Sequence, residues 1–172
     1  MRALYVGRFQ PFHNGHLEVV RHILSRADEL ILVIGSAQAS HSATNPFTAG
    51  ERFEMIRAAM VDEGFDLSKI YIVPVEDVKR NAIWVTHVKS LVPTFSEVYT
   101  NEPLANLLFE EAGFQVHKTP LFSRGDYSST NVRAAIVAHG SWDHLVPPAV
   151  KQAILAIGGV ARLMRIHGSD KS

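Results

Sequence analysis

The stretch ALYVGRFQPFHNGHLEVV, residues 3–20, decides how this chain folds. Its first four residues are apolar and predict a short β-strand, and the apolar positions after Gly15 recur at helical spacing and predict a helix through Ala27. The loop between them has neither the G-x-x-x-x-G-K-[ST] pattern of a P-loop nor the G-x-G-x-x-G pattern of a dinucleotide-binding fingerprint. It has His-x-Gly-His at the beginning of a helix, where unpaired backbone N–H groups favour an anion.

The rest of the chain continues this alternation of strand and helix. Further strands are predicted at 30–34, 70–75, 97–100 and 114–117, and further helices at 48–60, 83–91, 104–112, 130–139, 149–157 and 160–166. Strands that alternate with crossover helices predict an α/β fold with a doubly wound, mainly parallel sheet and helices on both faces. We expect one domain over residues 1–172, with a helical C-terminal part at about 130–167.

Ligands of such sheets bind beyond the carboxyl ends of the strands, at the switch in strand order. This rule directs attention to five loops, which follow Val6, Ile34, Val75, Thr100 and His117.

Composition excludes several classes of protein. The chain has 172 residues with 17 basic and 17 acidic side chains, so its zero formal charge gives no electrostatic reason to expect a nucleic acid or an acidic membrane as partner. It has no cysteine, which excludes disulfides, thiolate metal sites and cysteine nucleophiles. It also lacks an export signal and an apolar run long enough for a membrane helix, and we expect a cytoplasmic protein.

The loop residues at the first helix start are suited to phosphate. His13 and His16 can donate hydrogen bonds into one crevice, and Gly15 allows backbone or ligand to approach where a Cβ would intrude. Arg8 adds a permanent positive charge at the end of the strand. Two alternatives remain: the histidines cap a turn, or they form a zinc-binding pair, for which no third ligand stands at a diagnostic spacing.

A second anion site is predicted late in the chain, in SSTNVR at residues 128–133. Its hydroxyl residues stand at a predicted helix start and can cap that helix through Ser128 or Ser129. Arg133 follows Thr130 by about one helical turn and can project on the same side. Capping alone explains the hydroxyls, but hydroxyls, helix N-terminus and guanidinium together favour phosphate binding.

These motifs resemble those of a known superfamily. GRFQPFHNGH is similar to the (H/T)-x-G-H signature of the nucleotidylyltransferases, which share a Rossmann-like sheet, and SSTNVR resembles their I-S-S-T-x-x-R element, with Tyr127 where Ile is usual. Two further segments, GSAQASHSATNPFTAGER (35–52) and NAIWVTH (81–87), resemble the archaeal-type nicotinamide-nucleotide (NMN) adenylyltransferases. The resemblance implies transfer of AMP from ATP to NMN, giving NAD and pyrophosphate.

The resemblance and the residue chemistry together give a set of candidate site residues. The expected catalytic residues are Arg8, His13, His16 and Arg133. The expected ATP-binding residues come from both motifs: Gly7, Arg8, Phe9, Gln10, His13, Gly15, His16, Arg124, Ser128, Ser129, Thr130 and Arg133.

The expected acceptor site lies in the middle of the chain. Trp84 can stack on a cationic ring and Asn81 can pair with a carboxamide, although Trp84 could also be a core aromatic. Arg52 lies in the first turn of a helix, where a cation opposes the helix dipole, so it faces either phosphate or solvent. Loop polarity is the alternative for the other acceptor candidates, Ser36, Gln38 and Asn45.

The acceptor phosphate is its own nucleophile, because its second pKa of about 6 leaves it largely dianionic at neutral pH. Mg²⁺ or another divalent cation is expected with ATP, held mainly by the phosphates and without protein metal ligands. By resemblance, the chain is expected to form a homo-oligomer, since relatives of the archaeal type are often hexamers.

Two other functions remain open. A sibling nucleotidylyltransferase would use another phosphorylated acceptor, such as FMN, phosphopantetheine, or choline or glycerol phosphate with CTP. A non-catalytic module would bind nucleotides on the same fold without transferring them.

Overall fold

The computed structural model describes residues 1–119 and 127–169 of the chain. This part contains five strands: β1 (Arg2–Gly7), β2 (Glu29–Ile34), β3 (Ile70–Pro74), β4 (Glu97–Tyr99) and β5 (Gln115–His117). Its α-helices are α1 (Asn14–Leu24), α2 (Ala49–Asp62), α3 (Trp84–Leu91), α4 (Pro103–Glu111), α5 (Ser129–Val137), α6 (Pro148–Ala156) and α7 (Gly159–Ser169). In the described residues we find no helix with the length and apolar character that a membrane crossing requires.

All five strands form one parallel sheet in the order β3-β2-β1-β4-β5. From β1 the chain moves outward in one direction through β2 to β3, and in the other direction through β4 to β5. This arrangement is the doubly wound, Rossmann-like topology, and it confirms the predicted α/β fold. The reversal of strand order at β1 marks the edge where ligands bind in such sheets, which is the carboxyl end of the strands.

The chain divides into two compact units. The first consists of Met1–Arg8, Val19–Gln38 and Asp66–Pro120 and contains the whole sheet with α3 and α4. The second consists of Phe9–Glu18, Ala39–Phe65 and Leu121–Ser172 and contains α2 and the C-terminal helices. A single domain over the whole chain stays a prediction.

The core of the first unit is built around β2. Its aliphatic run Leu30–Ile34 is fully buried, as expected for a strand covered on both faces. On one side it packs in a cluster that includes Leu4, Val98 and, from the helices, Val88 and Phe109. Burying a side chain of this size contributes about 1.5–3 kcal/mol, so this cluster fixes the strands whose ends carry the loops.

The second unit is organised by the beginning of α2. Thr48 and Glu51 form the predicted capping box: the Thr48 hydroxyl accepts from the Glu51 N–H at 3.2 Å, and the Glu51 carboxylate accepts from the Thr48 N–H at 2.9 Å. Arg162 of α7 donates to both oxygens of the same carboxylate, at 2.6 and 2.7 Å. α2 packs against α6, and α5 and α6 pack against α7, so the C-terminal helices support this turn.

Candidate active site

The two histidines of the first motif lie at the beginning of α1, in the second unit. Their rings stack with centroids 3.5 Å apart and an interplanar angle of 24°. The main-chain N–H of His13 donates to Nδ1 of His16 at 3.2 Å, and the main-chain N–H of His16 donates to Nδ1 of His13 at 3.3 Å. These reciprocal bonds fix both ring orientations.

The same bonds determine the tautomer of each imidazole. Because Nδ1 accepts a hydrogen bond in both rings, the proton of each neutral ring is on Nε2, which makes Nε2–H its donor. Burial lowers the pKa of His13 to about 4. The pKa of His16 is also held well below its ordinary value, chiefly by loss of water around the ring and then by the neighbouring His13. Both imidazoles are therefore neutral donors at pH 7.

The packing around the pair depends on small and aromatic neighbours. The Phe9 ring meets the His16 ring edge to face, with centroids 4.9 Å apart. A Cβ on Gly15 would come within 3.0 Å of Cε1 of His13 and 3.1 Å of the Cβ of Tyr127. A side chain at this position would therefore require the His13 ring or Tyr127 to move by a few tenths of an ångström.

The second motif meets the first in this unit. Ser128 caps α5 by accepting from the Asn131 N–H at 3.0 Å, as predicted. The Ser129 hydroxyl donates to the Pro11 carbonyl at 2.9 Å, and Nη1 of Arg133 donates to the Gln10 carbonyl at 2.8 Å. These contacts hold the two motifs next to each other. Nη2 of Arg133 also donates to the Thr130 hydroxyl, at 3.4 Å. Arg124 lies outside the described residues.

Gln10 has a different surrounding from the one expected of a phosphate ligand. Its side chain is buried, with 2% of its surface exposed. Its Nε2 donates to the Phe47 carbonyl at 2.9 Å, and its Oε1 accepts from the Phe47 N–H at 3.0 Å. Both polar atoms of the amide are thus engaged by the backbone of another loop.

The first unit contains a cavity of about 450 Å³ at the carboxyl ends of the strands. Its lining comes from the ends of β1 to β4, the loops that follow them, and α3 and α4: Val6, Gly7, Arg8, Gly35, Ser36, Asp77, Val78, Asn81, Trp84, Glu102, Leu104, Ala105 and Leu108. Four of the five loops that the strand-end rule selected therefore contribute, and the cavity is within the size range of ligand sites.

Trp84 lies between the core and the cavity. It packs edge to face on Phe109 of the core, with ring centroids 5.5 Å apart, and it also lines the cavity. Asn81, in the 3₁₀ turn Asn81–Ile83 directly before α3, is exposed and lines the same cavity. The expected pair for a flat ring and its carboxamide therefore shares one cavity.

The sequence reasoning missed several residues of this lining, most notably two carboxylates. Asp77 and Glu102 line the cavity together with Arg8 as its cation, among the residues that the structure describes. Gln38 does not line it, but its Nε2 donates to the Asp77 carboxylate and its Oε1 accepts from the Asp77 N–H, each at 2.9 Å. The signal was present, because both carboxylates follow strand ends that the rule had selected.

Two other acceptor candidates belong to the second unit. Nδ2 of Asn45 donates to the Thr44 hydroxyl at 3.2 Å. Arg52 is fully buried, so of its two alternatives the one in which it faces solvent is excluded. Its Nε donates to the Thr48 carbonyl at 3.2 Å and its Nη2 to the Ala39 carbonyl at 3.5 Å, which compensates for the loss of water around its charge.

Within the described ranges, we find no group of three or more His, Cys, Asp or Glu side chains placed to hold a metal ion.

Comparison with known proteins gives a family. The cytidylyltransferase-like family matches residues 4–135, which include both motifs. The nicotinamide-nucleotide adenylyltransferase of Saccharolobus solfataricus is 50% identical over 170 residues, and the protein of that name from Archaeoglobus fulgidus is 51% identical over 175 residues, with 99% of both chains covered in each case.

Among solved structures, a bifunctional NMN adenylyltransferase/ADP ribose pyrophosphatase from Francisella tularensis, in complex with AMP and a manganese ion, has the same fold. It matches 99% of this chain with a TM-score of 0.77 at 18% identity, and this chain spans about half (52%) of its length. By its family match and its archaeal relatives, the chain belongs to the cytidylyltransferase-like family and, within it, to the archaeal-type nicotinamide-nucleotide adenylyltransferases.

Proposed function

We propose that this protein transfers AMP from ATP to nicotinamide mononucleotide, giving NAD and pyrophosphate. The transfer chemistry is supported above all by one observation: two neutral imidazoles stack at a helix N-terminus, and the loop that carries them accepts a hydrogen bond from the guanidinium of Arg133 through the Gln10 carbonyl. The choice of acceptor is supported by the archaeal relatives, half identical over the full chain, that carry this activity in their name.

In the reaction, an oxygen of the acceptor phosphate attacks the α-phosphorus of ATP. A new P–O bond forms as the bond between the α-phosphorus and the oxygen bridging to the β-phosphate breaks, and pyrophosphate leaves with that electron pair. Because the acceptor phosphate is already ionised at pH 7, no side-chain base is needed. The protein contributes by orienting two anionic groups and by offsetting the charge that develops between them.

The donors of the second unit fit this role. Nε2–H of His16 donates to the α-phosphate at the reacting centre, and Nε2–H of His13 donates to a neighbouring phosphate oxygen. Because both rings are neutral, they donate hydrogen bonds from Nε2–H without changing their protonation state near pH 7. Arg133 holds the β- and γ-phosphates with its permanent charge, and Arg124 is assigned the same task. The hydroxyls of Ser128 and Thr130 add hydrogen bonds to the phosphates.

The cavity of the first unit suits a nicotinamide nucleotide. Its volume is ample for a mononucleotide, Trp84 offers an aromatic face to the cationic ring, and Asn81 offers both a donor and an acceptor to the carboxamide. Ser36 contributes to acceptor binding directly and Gln38 through Asp77. Arg8, directly after β1, is assigned to the substrate phosphates.

Mg²⁺ is the divalent cation that we assign to ATP, where it neutralises phosphate charge and is held mainly by phosphate oxygens and water. Three further points stay predictions. They are the cytoplasmic location, the homo-oligomeric, hexameric state, and the assignment to substrate of Gly7, Phe9, Asn45 and Arg52.

A panel of acceptors tests the proposal. Pyrophosphate release is measured with ATP or CTP and with NMN, FMN, phosphopantetheine or phosphocholine, and the dinucleotide product is quantified by chromatography. We expect equimolar NAD and pyrophosphate from ATP and NMN. Preferred use of another acceptor would identify a sibling enzyme, and nucleotide binding without pyrophosphate release would identify a non-catalytic module.

The acceptor site is tested within the same assay by Trp84→Leu. Loss of the aromatic face raises the KM for NMN about tenfold, since stacking on a cation contributes roughly 1–2 kcal/mol in a desolvated site. Trp142→Leu, the same change at a tryptophan of the second unit, is the matched control and keeps the wild-type KM. An unchanged KM in the Trp84 variant would contradict the assignment of this cavity to the acceptor.

A further inference from the structure

Gln10 joins three segments of the second unit. Its amide makes two hydrogen bonds with the backbone of Phe47, and its own carbonyl accepts from Arg133 of α5. It also lies three residues before His13 in the loop that carries the histidine pair. A single side chain thus connects the histidine loop to the turn before α2, and its main chain connects that loop to the second motif.

The turn before α2, to which Gln10 is hydrogen-bonded, also makes hydrogen bonds with other residues. Nη1 of Arg162 donates to the Pro46 carbonyl at 3.1 Å, and the Thr48 N–H and carbonyl are taken by Glu51 and Arg52. The Phe47 side chain is fully buried. The position of Phe47 is therefore fixed. The two hydrogen bonds between its backbone and the Gln10 side-chain amide restrain both the distance and the orientation of Gln10.

The histidine loop requires such a restraint. Phe9 has a φ of +51°, in the left-handed region that non-glycine residues rarely adopt. Backbone in this region persists only where its surroundings determine it. Two contacts supply those surroundings, one on each side of the peptide bond between Phe9 and Gln10. The Phe9 ring packs on the His16 ring, and the Gln10 amide is hydrogen-bonded to the Phe47 backbone.

We propose that Gln10 is a positioning residue, not an ATP ligand: its side chain fixes the histidine loop to Phe47, and its carbonyl orients Arg133. The kinetic part of this proposal rests on the proposed function, whereas its structural part concerns the protein without substrate. Removal of the amide leaves the donors present but mobile, and misplacement of donors by about 1 Å costs turnover more than affinity.

The structural part is tested first, without substrate. In Gln10→Met, which keeps the length and bulk of the side chain, the histidine loop loosens and water reaches the rings. NMR titration of the His13 and His16 ring carbons then reports pKa values that rise toward the ordinary value of about 6.5. Gln152→Met, the same change at an exposed position of α6 in this unit, leaves both pKa values unchanged. Unchanged titration in Gln10→Met would overturn the proposal.

The kinetic part distinguishes a positioning residue from a ligand. We expect Gln10→Met to lower kcat about a hundredfold, with the KM for ATP within about threefold of the wild type. Ile154→Val, in the buried face of α6, is the control for loss of stability. We expect this variant to keep the wild-type kcat even where its thermal midpoint falls as much as that of Gln10→Met, or more. A raised KM for ATP with unchanged kcat would show that Gln10 binds ATP and would overturn the proposal.

A third variant uses pH to restore the contact. In Gln10→Glu the introduced carboxyl, when protonated, can donate to the Phe47 carbonyl and accept from the Phe47 N–H as the amide does, whereas its ionised form repels the carbonyl oxygen. Burial raises the pKa of such a carboxyl, so kcat relative to wild type should rise about tenfold between pH 8.5 and 6. The Gln10→Met variant has no group that can replace the amide, so its kcat relative to wild type does not rise toward pH 6, and it falls there if the exposed imidazoles become protonated. Parallel profiles of the two variants would overturn the proposal.

Failure of the proposed function would be recognised separately. If the wild-type chain released no pyrophosphate with any acceptor, the proposed function would be wrong and kcat could not be compared between variants. The NMR titration of His13 and His16 in the free protein would still decide whether Gln10 fixes their loop.

Discussion

In the second unit the histidine loop is held by hydrogen bonds from the Phe47 backbone and from the side chains of Ser129 and Arg133, whereas in the first unit the cavity has exposed side chains in its lining. The imidazoles of His13 and His16 have their Nδ1 atoms engaged and their tautomers fixed. The polar residues that line the cavity include four with exposed side chains: Arg8, Asp77, Asn81 and Glu102. One unit presents donors in a fixed geometry, and the other presents an adaptable, mixed-charge surface.

This difference corresponds to two tasks with different physical requirements. Stabilising charge in a transition state depends on donors that are oriented before the reaction, because reorientation during the reaction costs free energy. Distinguishing one acceptor from another depends on the charge and shape of the cavity, and exposed groups contribute modest amounts each. We therefore expect substitutions in the histidine loop to change turnover and substitutions in the cavity to change acceptor preference.

His16→Ala gives the largest expected effect. It removes a donor at the proposed reacting centre, and loss of one preorganised donor costs on the order of 10²–10³ in kcat. Steady-state kinetics should show this fall, while calorimetry shows NMN binding within about threefold of the wild type.

His167→Ala, on α7 of the same unit, is the control and keeps the wild-type kcat. A kcat of His16→Ala within about threefold of the wild type would contradict the role assigned to the second unit, because the fixed imidazole would then be unnecessary for the reaction.

The second effect is a loss of stability in acid. The pKa of His13 is lowered to about 4 in the folded protein, below the ordinary value, so between these two values the unfolded chain binds a proton that the folded chain does not. The free energy of unfolding therefore falls as pH decreases through about 6.5 toward 4, by about 3 kcal/mol in total from His13. His16 acts in the same direction, since its pKa is also lowered.

Urea unfolding at a series of pH values measures this loss. His13→Asn keeps an acceptor close to the former Nδ1 position but cannot titrate, and its unfolding free energy should fall less steeply over the same range. If wild type and variant lose stability in parallel, the imidazole of His13 is not the buried neutral group that distinguishes the second unit.

The sequence predicted the parts of this architecture that depend on neighbours in the chain. The buried run of β2, the capping box at Thr48 and the cap at Ser128 each follow from residues within one turn or one strand. The helix starts at which the two motifs stand were predicted in the same way, and their expected binding of phosphate stays a prediction.

What sequence reasoning missed depends on contacts between distant segments. No local pattern shows that the Gln10 amide meets the backbone of Phe47, 37 positions away. Arg52 shows the same limit: its position against the helix dipole allowed phosphate or solvent, and only the folded loop supplies the carbonyls that surround it. Asp77 and Glu102 lay in loops that the strand-end rule had selected, but an isolated carboxylate has no motif to distinguish it.

Asp77→Asn gives the smallest expected effect and tests whether the charge of the cavity in the first unit sets acceptor preference. Asp77 and Glu102 place two carboxylates beside one cation, Arg8, in the described lining. An acceptor whose carboxamide is replaced by a carboxylate adds a further negative charge to this cavity. Two charges about 6 Å apart near a protein surface interact by roughly 1–3 kcal/mol before screening by salt. Neutralising Asp77 should therefore raise kcat/KM for the deamidated mononucleotide relative to NMN about fivefold.

Glu76→Gln is the matched control for this change, since Glu76 is exposed and adjacent in the chain but does not line the cavity. Its substitution leaves the ratio of the two acceptors at the wild-type value. High salt narrows the difference between wild type and Asp77→Asn, because the repulsion acts at an exposed cavity edge. Should the ratio stay the same in Asp77→Asn and in its control, acceptor preference is not set by the charge of the cavity. It would then depend on neutral contacts such as those of Asn81, and the first unit would resemble the second in working through fixed hydrogen bonds.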